Sequence, residues 1–112
     1  MVQKHGFSPK IIYNTNGYEN VETLRLLEGI VDIYLPDFKY ADDELAQRLS
    51  GIPNYTETAL AAIGEMYRQK KSVLNDENPA LIIRHLVLPN HVDNSIKVLE
   101  QIAEKISTDV FV

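Results

Sequence analysis

Segments rich in β-branched and aromatic residues alternate along this chain with segments whose apolar residues recur at helical spacing. Strands are predicted near residues 10–13, 30–35, 81–88 and 109–112, and helices near residues 19–27, 42–49, 54–71 and 93–106. Such alternation is typical of parallel β/α units, which collect ligands at the carboxyl ends of their strands. The sequence therefore predicts an α/β fold with candidate functional loops at residues 14–17, 36–40 and 89–93.

The pattern also predicts where these elements end and which sides they bury. Pro36 places the end of the second ladder near Leu35, and the nearly continuous apolar run at 81–88 is typical of a strand buried on both faces. Asn54 or Thr56 is expected to cap the third helix, and Asp93 the last one. The third helix has an apolar stripe formed by Ala59, Leu60, Ile63, Met66 and Tyr67. The last helix is expected to turn inward Ile96, Val98, Leu99, Ile102, Ala103 and Ile106.

The size and charge of the chain narrow the classes of protein it can belong to. Its 112 residues fit one small domain. With 11 basic and 16 acidic residues the net charge is -5, which argues against nucleic acid or anionic lipid as a partner. Apolar runs such as residues 86–88 are too short to span a membrane, and the start lacks a signal-like segment. A cytoplasmic location is favoured.

The chain contains no cysteine, which excludes disulfides, thiol catalysis and sulfur-ligated metals or clusters within it. Its three histidines, His5, His85 and His91, lack the close spacing of a local metal motif, so a zinc site is not expected. His85 is expected on the face of its strand opposite to Arg84, and His91 in a solvated loop. The six tyrosines are interpreted as core or surface aromatics.

Charged residues lie at the end of the second predicted strand and within the third. Alternation places Leu35, Asp37 and Lys39 on one side of the second strand. Arg84 lies in an apolar strand, and because a guanidinium stays charged it must find an anion or leave the interior. A salt bridge between Arg84 and Asp37 and a contact with a bound ligand both account for this pattern. Residues 14–17 indicate a plain turn first, because Asn and Gly favour turns for backbone reasons, and a ligand-binding loop only second. Gly17 permits a positive φ or a close approach of a ligand.

Three segments in order resemble the middle of pyruvate formate-lyase activating enzymes: YNTNGYE at 13–19, YLPDFKYAD at 34–42 and IRHLVLPN at 83–90. The resemblance covers the chain from about residue 11 onward and is closest to a less characterised branch of these radical proteins. It implies that residues 1–112 form a single partial domain of a radical S-adenosylmethionine enzyme, with parallel β/α units forming part of an incomplete TIM-type barrel.

The resemblance also implies a chemistry for the longer protein, here called the parent protein. In this family S-adenosylmethionine binds a [4Fe-4S] cluster, and its reductive cleavage gives a 5'-deoxyadenosyl radical that generates a glycyl radical on a partner enzyme. The cluster-binding Cys-x-x-x-Cys-x-x-Cys motif and the early glycine-rich strand are absent from this sequence. The chain is therefore interpreted as an internal fragment with no catalytic residue, no iron–sulfur ligand and no bound cofactor of its own.

Family positions carry over residue by residue. By this resemblance Thr15 lies near the methionyl carboxylate and a monovalent cation, Asp37 near that cation and the methionyl amino group, and Lys39 on the methionyl carboxylate. Arg84 faces the cofactor and substrate region, and Leu86 flanks the adenosine. The family has Asp where this chain has Asn14, so a neutral amide replaces one cation ligand. The cofactor-binding candidates are Thr15, Asn16, Asp37, Lys39, Arg84 and Leu86, and the candidate cation ligands are Asn14, Thr15 and Asp37.

Two other functions remain open at this point. One is a complete small α/β ligand-binding or protein-interaction module without redox chemistry, and the other is a parent with a different barrel chemistry and no cluster. The loop at residues 72–79 is longer than in typical activators, which indicates a different branch of the family. Exposed barrel edges on a fragment predict self-association.

Overall fold

The computed structural model describes residues 10–71 and 80–112. Its elements are β1 (Ile12–Thr15), α1 (Val21–Leu26), β2 (Ile33–Pro36), α2 (Asp43–Ser50), α3 (Tyr55–Lys70) and α4 (Val92–Lys105). The two strands are parallel, with Ile12 opposite Ile33 and Thr15 opposite Pro36. The predicted α/β class is confirmed. His5 and the predicted loop at 72–79 lie outside the described residues.

Two further segments continue the parallel order beyond β2. Leu81 bridges Tyr34, Arg84 bridges Asp37, and Phe111 bridges Ile82. The segment at residues 80–84, here called the third segment, therefore lies between β2 and the chain around Phe111. Both predicted later strands are present in part, as bridges rather than as longer ladders.

Pro36 explains why the pairing of β2 with the third segment is broken. The Tyr34 N–H donates to the Ala80 carbonyl at 2.9 Å, and the Arg84 N–H donates to the Pro36 carbonyl at 2.9 Å. Between these bonds, Pro36 has no N–H to donate to the Ile82 carbonyl. The ladder between β2 and the third segment therefore lacks one hydrogen bond at Pro36 and continues after it.

The end of the first strand differs from the predicted one, whereas the end of the second agrees with it. The first strand was expected to stop at Tyr13, but β1 continues through Thr15 because residues 14 and 15 pair with Leu35 and Pro36. Pairing between strands thus overrides the turn preference of Asn. The second ladder was expected to end near Leu35, and β2 ends one residue later, at Pro36.

The helix starts follow local capping in two cases. Asn20 accepts hydrogen bonds from the N–H groups of Glu22 and Thr23 at the start of α1, and Asp42 accepts from Glu44 at the start of α2. The expected caps of the other two helices are wrong. Asn54 makes no side-chain cap bond, and instead Asp43 of α2 accepts from the Thr56 N–H at 2.8 Å.

Helix α4 begins after His91, so Asp93 lies in its first turn rather than at the cap as predicted. The side that α4 presents to the core also differs from the predicted one. Ile96, Leu99 and Ala103 were expected inside and are exposed. The buried residues are Asn94, Ser95, Val98 and Ile102. Hydrogen bonds from the first two, described below, determine this orientation.

The core lies on one side of the sheet, between the strands and the helices. The predicted apolar stripe of α3 supplies it, with Ala59, Ile63 and Met66 fully buried. The strands contribute alternate residues, and α1 and α4 complete the layer. The other buried members of this core include Leu24, Tyr34, Phe38, Leu81, Ile83, Val98 and Ile102.

The opposite face of the sheet is uncovered in the described part of the chain, and we call it the open face. The near-continuous apolar run at 81–88 was expected to be buried on both sides, and this is wrong, because Leu86 is 68% exposed. Helices cover one side only, so a strand of this sheet has one buried and one accessible face.

Within the described residues, no helix combines the length and apolar composition needed to cross a membrane.

A buried carboxylate joins α3 to α1. Arg68 donates to Glu65 at 2.7 Å and to Glu28 at 2.8 Å, while Gln69 donates to Glu65 and to the Leu24 carbonyl. The hydrogen bonds from Arg68, with those from Gln69, lower the pKa of Glu65 from 4.5 to about 2 against the opposing effect of burial. This network orients α3 over the sheet.

We predict that Glu65→Gln lowers the free energy of unfolding at pH 7 by about 1.5–3 kcal/mol, the range for hydrogen bonds to charged groups. The pKa of Glu65 is lower in the folded state than in the unfolded one. The difference in free energy of unfolding between the unmodified chain and the variant is therefore complete above pH 4.5 and disappears as the pH falls towards 2. Urea unfolding at several pH values measures this difference. Glu100→Gln, on the exposed face of α4, is the matched control. A difference independent of pH would contradict the assignment.

Candidate functional site

Three polar side chains meet on the open face, where neighbouring parallel segments end. Arg84 Nε donates to Asp37 Oδ1 at 2.8 Å, and Arg84 Nη2 donates to Asn14 Oδ1 at 2.7 Å. They come from the third segment, the end of β2 and β1. The internal salt bridge that the sequence left open is therefore present, and the ligand contact stays a prediction.

The exposure of this salt bridge determines what it can do chemically. The Asp37 side chain is 24% exposed and that of Arg84 is 46% exposed. Ion pairs in contact with solvent contribute only about 0.2–1 kcal/mol. A carboxylate or phosphate of a ligand can therefore take over hydrogen bonds of the guanidinium at little cost, and a ligand ammonium can do the same at Asp37.

Lys39 lies two residues beyond Asp37, on the same side of the chain by alternation. Its side chain is exposed, and within residues 10–71 and 80–112 its ammonium forms no ion pair. Its backbone is held at both ends. The N–H donates to Tyr55 Oη at 2.7 Å, and the carbonyl accepts from Asn94 Nδ2 at 2.8 Å. The result is a cationic side chain on a fixed backbone.

The structure does not bring Thr15 to the open face. Thr15 is 7% exposed, and its hydroxyl donates to Glu19 and accepts from the Gly17 N–H at 3.2 Å. Asn16 Oδ1 accepts from the Tyr18 N–H at 2.9 Å, as in an Asx turn. Both side chains thus stabilise their own loop. Leu86 lies on the exposed continuation of the third segment.

The three candidate cation ligands are not arranged around a common point. The oxygens of Asn14 and Asp37 both accept from the Arg84 guanidinium, and Thr15 bonds with Glu19 instead. The guanidinium itself thus supplies the positive charge between them, and these residues do not fit a cation site. In the described residues, no group of three or more His, Asp or Glu side chains is placed to hold a metal.

Gly17 lets the loop after β1 close over the end of β2. Its φ of 83° lies in the left-handed region, as the sequence predicted. The predicted close approach also exists, but its partner is the backbone of Asp37 rather than a ligand, since a Cβ at this position would overlap the Asp37 carbonyl oxygen. The position of Asp37 therefore depends on Gly17.

Sequence reasoning missed the roles of several buried and half-buried polar residues behind the site. His85 does point away from the open face, as predicted, and it contacts the Phe38 carbonyl and Ser95. Tyr55, interpreted only as an aromatic, holds Lys39, and burial raises its pKa to about 12. Glu19 and Asn94 were not considered. Two polar residues on the apolar stripe of α4, Asn94 and Ser95, were the signal available in the sequence.

The third candidate loop, at residues 89–93, lies elsewhere. A turn with Asn90 at φ 65° leads into α4, and His91 and Asp93 face Asp42 and Arg48 across a small cavity beside α2. In the described residues, the polar contacts of the open face come from the other two loops and the third segment.

Comparison with known proteins finds one informative relative. The chain is 40% identical over 83 residues to a protein of Methanocaldococcus jannaschii whose name is "Uncharacterized protein MJ0674". The match covers 74% of this chain and 22% of the relative, so the chain spans about a fifth of that protein's length. No family model matches the chain. No solved structure matches it either.

We predict that Gly17→Ala destabilises the fold more than Gly29→Ala does. The two glycines have nearly equal φ values, 83° and 85°, but only the first lies against another segment, since nothing lies within 4 Å of a Cβ added at Gly29. Gly29→Ala is the control and should lower the free energy of unfolding by about 1–2 kcal/mol, because of the left-handed conformation alone. Gly17→Ala should lower it by more. Urea unfolding measures both. Equal losses would show that the contact with Asp37 is not a constraint.

Proposed function

We propose that this chain is part of a radical S-adenosylmethionine oxidoreductase of the type that activates glycyl-radical enzymes, resembling pyruvate formate-lyase activating enzymes. The observation that supports this best is the contact of Arg84 with Asn14 and Asp37 at the carboxyl ends of parallel segments on the open face, with the exposed Lys39 two residues beyond Asp37. Ligands of β/α folds bind at such ends.

The order of the segments supports a place in a TIM-type barrel, with residues 1–112 as one partial domain. β1, β2, the third segment and the chain at Phe111 are neighbours in chain order, and all are parallel. In a closed barrel of this kind the helices cover the outside and the inner face carries the site. The open face of this chain would be the inner face of the parent's barrel.

The charges on the open face fit the methionyl end of the proposed cofactor, S-adenosylmethionine. An amino acid carries one carboxylate and one ammonium. The site offers one carboxylate, Asp37, in contact with one cation, Arg84, and a second cation, Lys39, two residues further along the chain. Lys39 and Arg84 would bind the carboxylate, and Asp37 would accept from the amino group. Leu86 would contribute apolar contact to the adenosine, and Thr15 and Asn16 would shape the loop beneath it.

When bound to a [4Fe-4S] cluster, S-adenosylmethionine supplies the radical chemistry of this family. This chain has no cysteine, so its residues do not fit the cluster, and the ligands would have to come from other parts of the parent. The task of the residues here is to bind and orient the methionyl group. We therefore propose that the chain alone is inactive. A cytoplasmic location and a glycyl-radical enzyme as protein substrate are part of the same proposal.

A second candidate has its own supporting observation. Because Arg84 is already bonded to Asp37 and Asn14, these groups need no ligand to satisfy them. This favours a small α/β ligand-binding or protein-interaction module in which the same contacts only hold the sheet end together. The two candidates differ in whether the parent protein cleaves S-adenosylmethionine.

We predict that the parent protein, reconstituted anaerobically with iron and sulfide, releases 5'-deoxyadenosine from S-adenosylmethionine in the presence of a reductant. Asp37→Ala or Lys39→Ala should each reduce this release by roughly 10- to 100-fold, as expected for losing a hydrogen bond to a charged group. Paramagnetic resonance checks that the cluster is intact in each variant. Lys105→Ala, an exposed position of α4, is the control.

Each outcome separates the candidates. A cluster with cleavage that depends on Asp37 and Lys39 supports the proposed pocket. Cleavage that neither variant affects would place the cofactor elsewhere in the parent. A parent without cluster and cleavage would reject the radical enzyme and leave the binding module.

We also propose that this chain self-associates through its sheet edge. β1 has β2 on one side and, in the described residues, no strand on the other, and Ile12 on it is 55% exposed. Light scattering after size exclusion should show oligomers at high concentration, and Ile12→Lys should reduce them. Leu26→Lys changes a residue that is 78% exposed on α1 and should leave association unchanged. A clean monomer of the unmodified chain at high concentration would contradict this.

A further inference from the structure

We infer that Asn94 and His85 are positioning residues that hold Lys39 in place for the cofactor's carboxylate. This inference rests on the proposed function, since it concerns how the same pocket is built. Neither residue reaches the open face. Both act from behind it, on the backbone of the segment that follows Asp37.

Both the oxygen and the nitrogen of the Asn94 side-chain amide form hydrogen bonds with the backbone of this segment. Oδ1 accepts from the Ala41 N–H at 2.9 Å, and Nδ2 donates to the Lys39 carbonyl at 2.8 Å. A backbone N–H only donates and a carbonyl only accepts, so the amide has one orientation. An Asp at this position has nearly the same shape but no N–H to donate, and it would place an anion against the Lys39 carbonyl.

His85 holds the same segment one residue earlier. Its Nδ1 lies 2.8 Å from the Phe38 carbonyl, and its Nε2 lies 2.7 Å from Ser95 Oγ. Because the carbonyl can only accept, Nδ1 carries a proton and donates to it, while the Ser95 hydroxyl can pair with Nε2 either as donor or as acceptor. The imidazole thus links α4 to the backbone immediately before Lys39.

These contacts explain why α4 turns polar residues inward. Asn94 and Ser95 are buried, whereas Ile96 and Leu99 of the same helix are exposed. Burying polar groups is unfavourable unless they are hydrogen-bonded, and apolar side chains would serve packing alone equally well. What the polar pair adds is a fixed backbone from Phe38 to Ala41. Together with Tyr55 on the Lys39 N–H, it immobilises the residue on both sides.

The test is a double-mutant cycle in the parent protein that combines substitutions of Asn94 and Lys39. The KM for S-adenosylmethionine is the readout. Asn94→Ala should raise KM by roughly tenfold or more, as misplacement of a binding group does, with a smaller change in kcat. In a Lys39→Ala background the same substitution should change KM less than about twofold, because its effect passes through Lys39. Ser95→Ala, a milder change, should shift KM in the same direction.

Val98→Ala is the structural control, since Val98 is buried on the same face of α4 and its side chain is apolar, so it cannot hydrogen-bond to the segment. It should lower stability without raising KM. A tenfold effect of Asn94→Ala in both backgrounds, or an equal effect of Val98→Ala, would overturn the inference.

Amide hydrogen exchange on this chain separates the inference from the proposed function. Asn94→Ala should speed exchange at the Lys39 and Ala41 amides by at least tenfold relative to Val98→Ala, whether or not a ligand binds. If Lys39→Ala leaves KM unchanged, the proposed pocket fails while faster exchange still supports the positioning of Lys39. Unchanged exchange at both amides would overturn the positioning role itself.

Discussion

The site depends on the contact between the loop after β1 and the backbone at the end of β2. The Asp37 N–H donates to the Thr15 carbonyl, and Gly17 packs directly on the Asp37 carbonyl. A side chain at residue 17 would separate the two strand ends at the point where their polar residues meet. Asn14 and Asp37 come from these two strands, and their common contact with Arg84 lies beside this closed loop.

Covering the sheet on one side determines the rest of the arrangement. The helices bury alternate residues of each strand, and the remaining ones, including Asp37 and Arg84, reach the open face. Charged groups there avoid the cost of full burial and stay available to a ligand. Behind them, the buried polar groups of α4 and Tyr55 hold the backbone. The site therefore combines accessible charges in front with a hydrogen-bonded support.

Local patterns in the sequence were sufficient to predict much of the fold and several residues of the site. Alternation placed Asp37 and Lys39 together, the lone charge of Arg84 in an apolar strand indicated a partner, and helical spacing located α3. The failures have a common physical cause, which is that they depend on tertiary contacts. Asn14 prefers a turn, yet pairing with β2 keeps it in a strand. The cap of α3 comes from a different helix, through Asp43.

The inward face of α4 is the clearest case of this limit. Periodicity predicted Ile96 and Leu99 inside, because hydrophobic patterns assume an apolar neighbour. The neighbour of α4 is instead a stretch of backbone whose Ala41 N–H and Lys39 carbonyl are hydrogen-bonded to Asn94, and an isoleucine there could satisfy neither group. No pattern along one helix shows what its partner surface will be.

The missing N–H of Pro36 has a mechanical consequence for the sheet. One hydrogen bond fewer joins β2 to the third segment, and such a bond contributes about 0.5–1.5 kcal/mol. The seam between these two parallel segments is therefore weaker than the continuous ladder between β1 and β2. The salt bridge from Asp37 to Arg84 crosses this seam just beyond the missing hydrogen bond. The side chains thereby add a link between the two segments where the backbone lacks one.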